Sequence, residues 1–195
     1  MRMQKATRGL FALLFTLAIK AQTPAPPPPA QHLPRGTAVD VPNAEILYTV
    51  QKTAAAAVSD QAIRVVNVNG EYNVGIGVVH RAKTLGGKTL NGIEHSEITE
   101  VYHVISGFAT LVTGGTLENP KEYAPDHMVV KVLNGPSTGG GAIKDGISRK
   151  LAPGDVVLIP PNTPHWFSEI DSDQIVYLQI RIDPHKVLPA GYGAK

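Results

Sequence analysis

The chain contains no cysteine in 195 residues. Structural disulfides, thiolate metal sites and cysteine nucleophiles are therefore excluded. It has no apolar run long enough to cross a bilayer: Leu10 to Ile19 (LFALLFTLAI) falls well short of the ~20 residues a spanning helix needs. The 18 Lys and Arg and 16 Asp and Glu are scattered, without a basic run. No internal repeat of fixed period is visible. Gly139-Gly140-Gly141 lacks the spacing and the Lys-Ser/Thr end of a phosphate loop. The serines show no G-x-S-x-G nucleophile elbow.

What is present begins with an export signature. Arg2, Lys5 and Arg8 precede the apolar run, and Ala21 offers a cleavage position with Ile19 at the −3 place. Residues 1–21 read as a signal peptide, the alternative being an uncleaved anchor. Their removal takes away Arg2, Lys5, Arg8 and Lys20 and no acid. The formal charge of +2 then becomes −2, with 14 basic residues against 16 acidic. That balance attracts neither nucleic acid nor an anionic membrane. Export places the mature chain in the periplasm or outside the cell. Residues 22–39 form a proline-rich linker, in which Thr23 to Pro34 (TPAPPPPAQHLP) holds six of the 16 prolines. It reads as an extended spacer, or by composition as an SH3-type ligand. Residues 40–195 suffice for one domain with a real core.

A helix is expected from Asp40 to about Ala57, with Asp40 capping, Pro42 in the first turn and a stripe of Ile46, Leu47, Val50, Ala54 and Ala57. From Ala62 the pattern turns to strands. Ala62–Val68 and Tyr72–His80 flank Asn69-Gly70, a strong hairpin signal. Further strands are expected at Glu100–Ile105, Ala109–Thr113, Met128–Leu133, Asp155–Ile159 and Gln174–Ile182. Gly139 to Gly141 reads as a loose connection, and Gly75 and Gly77 inside a strand indicate close packing or a bulge. Many short strands at turn-rich spacing predict an all-β sandwich or barrel.

Two segments concentrate the chemistry. Gly87 to Gly107 (GKTLNGIEHSEITEVYHVISG) carries Glu94, His95, Glu97, Glu100 and His103. Pro153 to Phe167 (PGDVVLIPPNTPHWF) places His165 after a proline-bounded loop. Imidazole plus carboxylate is the ligand set of a divalent ion such as Zn, Fe, Mn or Ni. Because one strand offers only every second side chain to a face, the ligands must converge from separate strands.

These segments resemble the two motifs of the cupins, small β-barrels of jelly-roll type. The first motif, G-x5-H-x-H-x(3,4)-E-x6-G, is matched in spacing by Gly87, Ile93, His95, Glu100 and Gly107, with Ile93 in the place of the first histidine. The second, G-x5-P-x-G-x2-H-x3-N, is matched by Gly154, Pro160 and His165, with Asn162 in the glycine place and Glu169 in the final asparagine place. The match covers residues 87–169. The resemblance implies a cupin-type double-stranded β-helix over 40–195 and one divalent metal held by His95, Glu100 and His165. Two histidines and one carboxylate form the ligand set of non-haem iron oxygenases and leave open positions. It also implies a small-molecule substrate or ligand, and favours a homodimer through exposed strand edges.

Two catalytic candidates stand beside these ligands. Glu97 is read as a fourth ligand, an acid or base at the metal, or a solvated loop carboxylate. Tyr102 shares the face of Glu100 and lines the cavity near a substrate, or belongs to the core. Glu94 alternates away from His95 and His103 away from Glu100. His80 follows the apolar face of Val74, Ile76 and Val78 and reads as a core histidine or a cavity contact. His32, His127 and His185 lie in loop or tail contexts. Tyr177, Gln179 and Arg181 share one face of the last strand, turned either to solvent or to the cavity mouth. The functional expectation is an exported metal-dependent enzyme of dioxygenase, isomerase or lyase type. The alternative is a non-catalytic ligand-binding or structural module, which Ile93 favours.

Overall fold

The computed structural model describes residues 38–84 and 91–192. The segment read as a signal peptide, most of that read as a proline-rich linker, His32 and Gly87 lie outside the described residues. The chain opens with a helix, α1 (Asn43–Lys52), and continues through β1 (Val58–Val68), β2 (Tyr72–Ala82), β3 (Ile93–His95), β4 (Thr99–Ser106), β5 (Ala109–Thr113), β6 (Thr116–Leu117) and β7 (Lys121–Glu122). A π-helical turn over Val129–Asn134 precedes β8 (Ser137–Gly139) and β9 (Ile143–Lys144). Then follow β10 (Ile147–Leu151), β11 (Val156–Ile159), β12 (His165–Ile170) and β13 (Gln174–Asp183).

Two antiparallel sheets face each other, in the orders β1-β2-β13-β4-β11 and β10-β5-β12-β3-β8-β7. The eight core strands, β2 to β5 and β10 to β13, can be counted one to eight in chain order. One sheet then reads 1-8-3-6 and the other 5-4-7-2. This interleaving is the double Greek key of a jelly roll. Strand β1 extends one sheet, β7 and β8 extend the other, and β6 pairs with β9 alone.

The core between the sheets is apolar and aromatic, built on Val79, Tyr102, Leu111, Ile159, Phe167 and Tyr177. A second cluster lies outside the first sheet, where Ile46 of α1 packs on Ile63, Val78 and Val176. Glu45 fixes the helix there through a two-pronged ion pair with Arg64 of β1, at 2.7 and 2.9 Å. Such paired geometry supplies direction as well as energy.

The hairpin forms as its dipeptide demands, with Asn69 and Gly70 both left-handed at φ 53° and 80°. Gly75 and Gly77 serve close packing: a Cβ on Gly77 would lie 2.8 Å from the Gln61 carbonyl oxygen and 3.0 Å from an Arg181 guanidinium nitrogen. The register of β1 against β2 also shifts between Ala62 and Arg64, so a bulge lies opposite these glycines.

Three expectations are corrected. The helix is capped at Pro42 without a side-chain bond from Asp40, and it ends at Lys52. Ala54 and Ala57 lie beyond it, because β1 already begins at Val58. The strand expected over Met128–Leu133 is instead the π-helical turn. There His127 accepts backbone N–H bonds from Val129 at its ring nitrogen and from Val130 and Lys131 at its carbonyl, closing a helical turn locally. The triglycine stretch is partly ordered in a sheet, since Gly139 ends β8 and pairs with Ile93 and Lys121.

Candidate metal centre

His95 closes β3, Glu100 stands second in β4, and His165 opens β12. Between β3 and β4 the chain turns through Ser96–Ile98, so Glu100 returns from the opposite sheet. The loop before β12 is held to β3 by the Asn162 N–H, which donates to the His95 carbonyl at 2.8 Å. Asn162 is left-handed, at φ 57°. A glycine takes this conformation freely and asparagine is among the few other residues that tolerate it, which explains Asn162 in the motif's glycine place. Gly107 and Gly154 are likewise left-handed, at φ 86° and 92°. A Cβ on Gly107 would lie 2.1 Å from the Gln174 carbonyl oxygen.

The three side chains converge. His95 Nε2 is 3.4 Å from Glu100 Oε1, and His165 Nε2 is 3.2 Å from Glu100 Oε2. One donor atom from each lies within 4.8 Å of the others, and all three residues are buried. The far side of each imidazole decides its proton. His165 Nδ1 is 3.0 Å from the Thr163 carbonyl, which can only accept. His95 Nδ1 is 2.8 Å from Ser137 Oγ, whose own proton goes to the Gly135 carbonyl at 2.8 Å. Both Nδ1 atoms therefore donate, and both Nε2 atoms face the carboxylate. Where Nε2 carries no proton, its lone pair and the carboxylate call for a cation between them. The donor set thus fits a divalent ion of the Zn, Fe, Mn or Ni kind, each imidazole oriented by an outer partner.

The surroundings favour a neutral His95. Burial, then the nearby His165 and Arg181, push the His95 imidazole well below its usual pKa. Glu100, 1% exposed, accepts from the Tyr102 hydroxyl at 3.1 Å and is in tight contact with the Gln179 amide. Burial and the Glu100 charge push the Tyr102 phenol well above its usual range, so it stays a donor. Its ring also packs in the core, tilted against Tyr177 with ring centroids 4.5 Å apart.

Other candidates fall elsewhere. Ile93 pairs with His165 across the sheet and offers no donor atom. The Glu97 carboxylate lies 2.5 Å from His185 Nδ1, in a half-exposed position outside the cluster. His80 lies against the end of α1, its Nε2 3.1 Å from both the Thr53 hydroxyl and carbonyl oxygens. It thus faces the helix rather than the barrel interior. His103 is exposed. The Tyr177, Gln179 and Arg181 face of β13 turns inward: Arg181, 1% exposed, donates to Asp60 at 2.5 Å and to Asn134 at 2.6 Å. Ser137, Asn134 and the inward direction of Gln179 and Arg181 were not readable from motif spacing. Ser137 belongs to a segment inserted between the fourth and fifth core strands, and β13 offers two faces of ambiguous parity.

The strand order and the placing of both motif segments give this chain the cupin-type jelly-roll architecture. No family model matches it, and no curated protein matches it. Among solved structures it is similar to HppE in its cobalt(II) form with Tris buffer, at 14% identity over 80% of this chain and 62% of that one, with a TM-score of 0.44. It is similar to a cupin protein from Bacteroides fragilis at 17% identity over 57% and 68%, TM-score 0.35. It is also similar to the DMSP lyase DddQ from Ruegeria pomeroyi DSS-3 at 18% identity over 55% and 37%, TM-score 0.34. The chain spans less than two thirds of HppE and of the lyase.

Proposed function

We propose that this chain is an exported metal-binding cupin that acts as a metal-dependent enzyme on a small molecule. One observation carries the reading: two imidazoles, their Nδ1 protons held by Ser137 and by the Thr163 carbonyl, turn Nε2 toward a buried carboxylate. His95 and His165 supply imidazole nitrogens, Glu100 supplies a carboxylate, and the Tyr102 hydroxyl steadies Glu100. When bound, a divalent ion supplies Lewis acidity toward a substrate oxygen or a site for dioxygen, the chemistry of isomerases, lyases and dioxygenases. Elemental analysis of protein purified without a metal-binding tag tests the reading. About one divalent ion per chain is expected, lost in a His95→Ala, His165→Ala double variant. Unchanged metal content in that variant refutes it. Export is tested by whether the first 21 residues are absent from protein recovered outside the cytoplasm.

Ile93 favours a second reading, a ligand-binding module without catalysis. In that case the metal is absent, and substitution of Glu100 leaves ligand binding intact.

A further inference from the structure

Ile93 offers the site no donor atom, which leaves a place for another side chain of the interior. Four polar side chains near the three ligands can be compared by what each already bonds. The Arg181 guanidinium is committed to Asp60 and Asn134. The Tyr102 hydroxyl is directed at Glu100 Oε2. Ser137 stands behind His95, at Nδ1. The remaining one is Gln179, 2% exposed, whose terminal amide is in tight contact with Glu100 Oε1. That is the same oxygen that lies 3.4 Å from His95 Nε2. One amide, one imidazole lone pair and one carboxylate oxygen therefore converge on a single point.

A glutamine amide has two faces of nearly equal shape. Half a turn about its terminal bond exchanges an N–H donor for a carbonyl oxygen. With the N–H forward it satisfies Glu100. With the oxygen forward it is a neutral oxygen ligand, which hard and borderline divalent ions accept. The strand supports this use. Gln179 pairs with Tyr102 and Arg181 with Glu100 in the β13–β4 register, so the amide reaches diagonally along the ligand-bearing strand.

We propose that Gln179 takes the place of the missing motif histidine as a fourth metal ligand through its Oε1. In the metal-free protein the same amide donates to Glu100 instead. The inference rests on the metal-binding reading above. It assigns the site a two-histidine, one-carboxylate, one-amide donor set drawn from four strands, β3, β4, β12 and β13.

Cobalt(II) titration followed by visible absorption tests it. Parent protein, Gln179→Met, Gln179→Glu and His165→Ala are compared, with folding checked by near-ultraviolet circular dichroism. Gln179→Met keeps the length of the side chain and removes the oxygen. It is expected to bind cobalt at least about tenfold more weakly and to change the position or intensity of the visible band. Gln179→Glu is expected to restore binding. In the unmutated protein, zinc should shift the Gln179 side-chain amide resonances of a 15N-labelled sample. A Gln179→Met spectrum identical to that of the parent, at whatever affinity, overturns the proposal, because an amide that only orients Glu100 leaves the donor set unchanged. An amide signal unmoved by zinc overturns it too. If the parent itself takes up no cobalt, the metal-binding reading falls and this inference with it. If the parent binds and His165→Ala does not, the two are judged separately.

Discussion

Replacing Ser137 by Ala removes one hydroxyl yet disturbs both a hydrogen-bond chain and a tautomer. In the parent, the proton of Ser137 Oγ goes to the Gly135 carbonyl and its lone pair receives His95 Nδ1–H. Both His95 and Ser137 are buried, at 4% and 7% exposure, so water does not simply replace the hydroxyl. Leaving a buried imidazole N–H without a partner costs about 1–3 kcal/mol. The imidazole escapes part of that cost by moving its proton to Nε2, where Glu100 Oε1 waits 3.4 Å away. That move blocks the lone pair intended for the metal. The expected outcome is metal affinity lowered by about 10- to 100-fold, the usual effect of losing a ligand's outer partner. Metal-free stability should fall by about 1–2 kcal/mol. Metal titration and urea unfolding measure the two losses, and the 15N shifts of His95 report the tautomer directly. Ser137→Thr, which retains the hydroxyl, should behave like the parent. Unchanged metal affinity in Ser137→Ala, with His95 still protonated at Nδ1, would refute the reasoning.

Three further outcomes are expected. The His95 imidazole is held below its usual pKa in the folded state, so its contribution is complete above about pH 6.5 and is lost as pH falls below it, at about 1.4 kcal/mol per pH unit. Urea unfolding of the metal-free protein between pH 8 and 5 should show this slope, and His95→Gln should flatten it. Arg64→Met strands the buried Glu45 carboxylate and should cost about 3 kcal/mol, near the low end for a broken buried pair because Arg64 keeps 16% side-chain exposure; equilibrium denaturation checks it. Gly77→Ala drives a methyl against the Gln61 carbonyl and the Arg181 guanidinium, and should lower the melting temperature by several degrees, the response to about 1–3 kcal/mol of overpacking.

Much of the fold was legible because its signals are local. Asn69-Gly70 names its own turn, and the left-handed Gly107, Gly154 and Asn162 sit where motif spacing places them. The convergence of His95, Glu100 and His165 was readable for the same reason. Where short apolar runs or strand faces had to be judged, the signal failed. Val129 to Leu133 is rich in β-branched residues, yet His127 supplies the bonds of a helical turn, and a run so short carries no decisive period. β13 misleads more deeply. Its inward face carries Tyr177, Gln179, Arg181 and Asp183, while Val176, Leu178, Ile180 and Ile182 point outward. An alternation rule would invert the strand, because it assumes a dry interior.

That inversion makes the polar residues of β13 guardians of alignment as well as parts of a site. A slip by one residue would exchange the two faces and bring four aliphatic side chains into the barrel, a change that hydrophobicity alone would welcome. What opposes it is specific: Arg181 on Asp60, Gln179 on Glu100, and Asp183 accepting the Val187 and Leu188 N–H groups at 3.0 and 2.8 Å. A variant with these groups replaced by aliphatics for the sake of stability would therefore erase the difference between two competing registers. In this barrel, the residues that recommend themselves for chemistry also tell the last strand which way to face.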